Sequence, residues 1–205
     1  MMKRGNRLFI LAVAAVLMSG VLVYANHTNR WPFSGNSVAG LPSNHIRLIQ
    51  PDVGHFTLLF SQHGGAYFNH RGHGVRINVA YYQQTELILH ETIAGMSTAD
   101  NWEHNGALYW GLTTQGNQWH ELRALVDASG IRSNSSFDFS QIDFEPSFVG
   151  LISSAPPADG LIEIGRRYIL QAWQSGSSVR ADNDFFHTDS LNQSEHTVIL
   201  YVTFD

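Results

Sequence analysis

Residues 142–184, IDFEPSFVGLISSAPPADGLIEIGRRYILQAWQSGSSVRADND, decide the fold that the sequence predicts. They contain two largely apolar segments, 148–153 and 167–173, that are typical of strands. A polar loop adjoins each predicted strand. Because a packed scaffold holds such loops while leaving them accessible, we expect a binding site there. The loops offer carboxylate, hydroxyl and amide side chains: Asp143, Glu145, Ser147, Gln174, Ser175, Ser177, Ser178, Asp182 and Asp184.

The rest of the chain also shows strand patterns. Apolar and polar residues alternate in 74–82 and 85–91, which is typical of half-buried strands, and 55–62 is a further candidate. Residues 63–74, HGGAYFNHRGHG, favour a hairpin or an irregular connection because they are rich in glycine. Residues 198–204 are apolar on both faces, so they predict a central strand that is covered on both sides.

Residues 118–129 predict the one main helix. One helical face holds Trp119, Leu122, Leu125 and Val126, and Gly130 suits the left-handed position that ends a helix. The count of about eight strands with one main helix inserted predicts a mainly all-β fold, an antiparallel Greek-key β-sandwich.

Residues 136–144 carry four core candidates of mixed parity. In a regular strand, Phe137 and Phe139 would lie on one face, whereas Ile142 and Phe144 would lie on the opposite face. A β-bulge near Ser140 is predicted to bring all four to the core.

The first 25 residues have the pattern of a signal peptide. Basic residues precede an apolar run over 8–18, and Val23 and Ala25 have the offsets of a small-residue cleavage site. The alternative is an uncleaved anchor, because 8–25 just reaches the length that spans a bilayer. Residues 1–25 are therefore interpreted as a signal peptide, and a membrane partner is expected only if they are retained.

The remaining sequence divides into a polar linker or N-terminal arm, 26–44, and one domain, 45–205. The expected location is secreted, periplasmic or at the cell surface.

The chain has no cysteine, so an exported fold must be held by core burial, and thiolate zinc sites and cysteine nucleophiles are excluded. The chain has only one lysine and a net charge of −5. This composition argues against a nucleic-acid partner, because such partners are bound by clusters of basic residues.

Four segments resemble the spondin N-terminal domain. Residues 145–151, EPSFVGL, are similar to its P-x-D-x-F-V-G segment, and Tyr168 to Ser178 are similar to the aromatic-ended strand and loop that follow. Residues 114–130 are similar to the helical segment of that family, and 197–204 take the place of its closing apolar strand. The resemblance implies that the chain is a β-sandwich module of the bacterial type of this family. Such modules belong to secreted proteins that act in cell adhesion or resemble proteins of the extracellular matrix.

The resemblance also implies a calcium ion held by loop carboxylates, since hard cations need several oxygen ligands. The family's aspartates fall on Pro146 or Ser147, on Gln174 and on Ser178, none of which is a carboxylate here. Two outcomes stay open. Either neighbouring groups rebuild the site, or the site is lost and no cofactor is bound. The candidate metal ligands are Glu145, Asp182, Asp184 and Gln174.

The histidines define an alternative metal site. His70 and His73 have a spacing that a transition metal could use, although zinc sites take at least three protein ligands. His90 and Glu91 begin an H-E-x-x-H pattern that fails because Ala94 occupies the second histidine position.

Five tryptophans divide between core and surface. Trp119 and Trp173 have core parity, whereas Trp31 and Trp102 lie in polar surroundings and are the candidates for a sugar- or lipid-facing platform. The sequence thus predicts a non-enzymatic adhesion or binding module for extracellular carbohydrate or protein, with Ser147, Ser175, Ser177 and Ser178 in its ligand-binding loops. The alternatives are a secreted metal-dependent enzyme that uses the histidine-rich segment and a structural surface-assembly component.

Overall fold

A computed structural model describes most of the chain: residues 4–33, 35–49, 59–115, 118–142, 150–152, 160–175, 186–192 and 194–205. Within these ranges the structure has two helices, nine strands and one 3₁₀ turn. Their bounds are α1 Arg4–His27, β1 His45–Ile49, β2 Gln62–Gln83, β3 Glu86–Gln115, β4 Gln118–Ala128, β5 Ile131–Asp138, the 3₁₀ turn Phe139–Gln141, β6 Gly150–Ile152, β7 Gly160–Leu161, β8 Tyr168–Ser175, α2 Thr188–Leu191 and β9 His196–Phe204.

The described strands form one antiparallel sheet in the order β5-β4-β3-β2-β9-β8-β6, with β1 paired to β2 and β7. The long strands β2 and β3 each take part in two layers. Residues 62–72 of β2 pair with β1 and the second half of β3, whereas 75–83 pair with β9 and the first half of β3. The register shifts between Gly72 and Gly74, at the boundary between these two halves of β2. The predicted all-β antiparallel sandwich is confirmed, and β9 returns beside β2 as in a Greek key.

The two candidate strands of 142–184 are neighbours in this sheet. β6 pairs with β8, with Leu151 opposite Trp173. β9 lies between β2 and β8 and is buried on both faces, which confirms the predicted central strand. Phe148 and Val149, which begin the predicted strand 148–153, lie outside the described residues.

The helix predicted over 118–129 is wrong, because this segment is strand β4. Its buried side chains are Leu122, Ala124, Val126 and Ala128, which recur every second residue. The larger apolar residues of this segment also have the spacing of a helix. Ala124 and Ala128 are small and weakly hydrophobic, so the sequence does not reveal the alternating pattern of a strand. Gly130 does have a left-handed φ of 79°, but in the turn to β5, where such angles suit a hairpin.

The hairpin or irregular connection predicted over 63–74 is also wrong, since these residues continue β2. The glycines serve close packing. A Cβ at Gly64 would collide with the Trp110 indole, and one at Gly72 would collide with the Asp205 carbonyl and the His70 ring.

The bulge predicted near Ser140 is replaced by the 3₁₀ turn. Asp138 caps this turn by accepting the Ser140 N–H at 2.8 Å. Phe137 and Phe139 are buried and Ile142 packs against them, so the turn brings these three to the core as expected. Phe144 lies outside the described residues.

The core lies between the two layers and includes both tryptophans that were predicted there. Trp173 is fully buried, and its ring contacts Trp119 and Trp110 edge to face, with centroids 5.3 and 5.9 Å apart. The indole N–H of Trp173 donates to Gln62 at 2.7 Å.

Helix α1 runs without a break through Ser19 and Gly20. Its end is tied to the following turn, because the Arg30 N–H donates to the Ala25 carbonyl at 2.8 Å. In the part of the chain that the structure describes, no helix is both long and apolar enough to cross a membrane.

Candidate functional site

The solvent-facing surface of the β2–β5 layer, here called the outer face, carries polar and aromatic side chains in cross-strand rows. One row holds Tyr67, Ala107, Asp127 and Arg132; the next holds Gly65, Tyr109, Leu125 and Asn134. The opposite surface of these strands faces the core, since side chains alternate along a strand.

One end of the outer face contains a polar depression of about 800 Å³. Arg71 of β2, the adjoining part of β3 and the β4–β5 turn form its walls, and Asn36 adds a side chain from the N-terminal arm. Its charged, amide and aromatic lining residues include Arg71, Asn101, Trp102, Glu103, Asn105 and Asp127.

Trp102 is the aromatic member of the polar depression, and its side chain is 58% exposed. An exposed indole presents an apolar ring face and one N–H donor. The amides of Asn101 and Asn105 donate and accept hydrogen bonds, and the carboxylate of Glu103 accepts them. The arrangement can therefore hold a ligand that has both hydroxyl groups and an apolar face.

Hydrogen bonds fix the walls of the polar depression to one another. The Ser129 hydroxyl donates to the Glu103 carbonyl at 2.6 Å, and the Ser129 N–H donates to the Asn105 carbonyl at 3.0 Å. The Asn105 amide donates to the Ser37 hydroxyl at 3.4 Å. The β4–β5 turn, β3 and the N-terminal arm are thus held together around the depression.

The N-terminal arm packs on β2 through a buried asparagine. Asn69, 2% exposed, donates to the carbonyls of Val38 and Leu41 at 3.1 and 2.7 Å, and it accepts the Val38 N–H at 2.7 Å. Buried polar groups that are satisfied in this way resist rearrangement, since breaking the bonds would leave them unpaired. The arm is therefore a fixed wall of the polar depression.

A second cavity of about 480 Å³, here called the aromatic depression, lies further along the outer face. The Phe60 ring rests on Gly111, where a Cβ would collide with it, and Tyr109 lies beside them. Arg123 donates to Glu121 at 2.7 Å. Hydrogen bonds from Ser136 and then Arg123 lower the pKa of Glu121, so this carboxylate is charged at neutral pH.

Tyr109 links the aromatic depression to the middle of the outer face. Burial raises its pKa, and so do the neighbouring Tyr67 hydroxyl, to which it is hydrogen-bonded, and the charge of Asp127. The Tyr109 hydroxyl is therefore neutral and can both donate and accept a hydrogen bond.

Most of the loop residues predicted as site residues lie outside the described residues: Asp143, Glu145, Ser147, Ser177, Ser178, Asp182 and Asp184. Gln174 and Ser175 are at the end of β8, and Gln174 is buried opposite Gly150 of β6. The loop site and the calcium ion therefore stay predictions.

His70 and His73 lie in different surroundings. His70 is 3% exposed and faces the core, whereas the His73 side chain is exposed. No group of three histidine, aspartate or glutamate side chains that could hold a metal ion occurs among the residues that the structure describes. The two-histidine site also stays a prediction.

The tryptophans predicted at the surface are there, with Trp31 at 86% exposed and Trp102 at 58%. Sequence reasoning missed the polar residues around Trp102, because it did not treat 101–106 as strand. The signal was present in NWEHNG, where the side chains of Glu103 and Asn105 alternate with His104, which faces the core.

Comparisons with known proteins found no relative. No family model matches the chain, and neither a curated protein nor a solved structure matches it.

Proposed function

We propose that the protein is an exported, non-enzymatic binding module that holds extracellular carbohydrate in the polar depression. The observation that carries the proposal is Trp102, an exposed indole in a depression whose other side chains are mainly amides and charged groups. Sugar rings offer C–H groups to an aromatic face, and their hydroxyls both donate and accept, as amides and carboxylates require.

Export and the class of module rest on the sequence. The basic and apolar pattern of residues 1–25 favours export, and the spondin-like segments favour an adhesion or matrix-like role at the cell surface. An intact mass that begins at Asn26 in exported material would support cleavage after Ala25. A mass that retains the apolar run would overturn cleavage and leave the anchor.

Trp102→Ala tests the proposal. We expect the wild-type protein to be retarded in gels that contain a polysaccharide from a panel of neutral and acidic polymers. Trp102→Ala should weaken retention by roughly tenfold or more, because truncating a central aromatic contact removes much of the binding energy. Trp31→Ala is the matched control, since Trp31 is more exposed and does not line the polar depression.

Both variants should unfold at the wild-type temperature, which separates lost binding from lost fold. Retention that is equal in wild type and Trp102→Ala, or no retention by any polymer, would contradict the proposal.

A further inference from the structure

We infer that the polar and aromatic depressions are the two ends of one elongated site that takes a neutral, linear oligosaccharide. The inference rests on the proposed function and deepens it, because it specifies the length and the charge of the ligand.

The two depressions follow the same strand. Asn105 lines the polar depression and Gly111 the aromatic one, and both lie on β3. They are six positions apart along the extended strand, which corresponds to roughly 20 Å. A single sugar ring is too short to reach both depressions, so a ligand that uses both must be an oligosaccharide.

Aromatic side chains occupy the surface between the two ends. Tyr67 of β2, 37% exposed, lies opposite Ala107, whose small side chain leaves the tyrosine ring uncovered on that side. Tyr109 follows on β3, and Phe60 rests on Gly111 beyond it. Trp102 lines the polar depression at the opposite end, so aromatic residues are present at both ends and between them, as stacking of successive sugar rings requires.

The charges along this path balance. Arg123 pairs with Glu121, and Arg132 pairs with Asp127, each at 2.7 Å. Arg71 lies directly opposite Glu103 in the β2–β3 register.

An acidic polymer binds through arginines or lysines that are in excess over carboxylates, because complementary charge attracts it and fixes its register. The three arginines on this path face three carboxylates, so the surface has no such excess. A neutral glycan, which needs hydrogen-bonding groups without net charge, is the ligand that fits.

A length series tests the elongated site. Isothermal titration would compare short and long oligosaccharides cut from the polysaccharide that the wild-type protein binds best in the gel panel. We expect affinity to rise with length until both depressions are filled. Tyr109→Ala should weaken binding of the long oligosaccharide by about tenfold and leave the short one unchanged, provided that the short one occupies the polar depression. Trp102→Ala should weaken both.

Asn134→Ala provides a second variant, because Asn134 lines the aromatic depression from the edge strand β5, where truncation leaves the core intact. It should also weaken only the long ligand. Ile131→Ala is the control, since this exposed residue lies on the same strand and lines neither depression.

The outcomes separate this inference from the proposed function. Equal affinity for short and long ligands, with Trp102→Ala still harmful, would overturn the elongated site and leave the carbohydrate module standing. Binding only to acidic polymers such as polygalacturonate would overturn the neutral ligand. Binding to no glycan, or to a protein alone, would overturn both.

Discussion

The imidazole rings of His70 and His104 lie stacked inside the sandwich, with centroids 6.3 Å apart and planes 19° from parallel. His70 donates from Nε2 to the Asp205 carbonyl at 3.1 Å, and it contacts the Phe204 ring. Its Nδ1 is buried and has no hydrogen-bond partner among the described residues. Burial lowers the pKa of both histidines, and in His70 this outweighs the Asp205 hydrogen bond, which raises it.

Stability should therefore fall in mild acid. A histidine whose pKa is lower in the folded state binds more protons when unfolded, so the free energy of unfolding decreases as the pH falls below the ordinary histidine pKa. Thermal unfolding followed between about pH 8 and about pH 5 should show the midpoint falling with the pH.

His70→Gln should flatten this pH dependence, because it removes one of the two buried titrating groups. His73→Gln is the matched control, since His73 is three residues away and exposed. An unchanged slope in His70→Gln, or a midpoint that rises in acid, would show that the pair does not govern acid stability.

Truncation of Trp173 should cost about 3–5 kcal/mol of the free energy of unfolding. Its ring is fully buried against Trp110 and Trp119, so removing it leaves a cavity and leaves Gln62 without its donor. Denaturant unfolding of Trp173→Ala measures the loss. Trp31→Ala, at an exposed position, should change stability by under about 0.5 kcal/mol. A loss below about 1 kcal/mol for Trp173→Ala would contradict the core described above.

Calcium should stabilise the protein little or not at all. The resemblance places family carboxylates at Pro146 or Ser147, at Gln174 and at Ser178, none of which is a carboxylate, and calcium affinity depends on ligand charge. A retained site would add roughly 2.7 kcal/mol at a hundredfold excess over Kd, which is readily visible as a higher unfolding temperature than with a chelator.

A clear stabilisation by calcium that Glu145→Gln or Asp182→Asn abolishes would instead show that neighbouring groups rebuild the site. Stabilisation by zinc that is lost in His73→Gln would favour the histidine site and the enzyme alternative.

The strands that could be predicted from the sequence are those whose burial follows from local pattern. Residues 198–204 are apolar throughout and form the central strand. Trp119 packs on the core as expected, but not through regular alternation, because the buried residues of β4 have even numbers and the register shift between Thr113 and Thr114 brings Trp119 to their side. β4 was misinterpreted because Ala124 and Ala128 are buried by their partners in β3 and β5 rather than by their own hydrophobicity. Tertiary pairing of this kind overrides a helical spacing.

The candidate site was less accessible to sequence reasoning. Trp102 could be recognised as a surface aromatic, but Arg71 and Glu103 are far apart in the chain and meet only through the β2–β3 register. Likewise, Asn36 reaches the polar depression only because Asn69 fixes the arm. Such juxtapositions depend on long-range pairing, which a linear pattern does not encode.

The most direct test of binding in the polar depression is to identify the residues whose resonances change when a glycan binds. Backbone and indole N–H resonances of isotope-labelled protein would be followed during titration with the oligosaccharide that binds best. We expect the largest shifts at the Trp102 indole N–H and in residues 101–106 and 127–130, with smaller shifts extending to Tyr109 for long ligands. Shifts confined to residues 143–149 and 176–185, where the sequence predicts ligand-binding loops, or none at saturating ligand, would contradict binding in the polar depression.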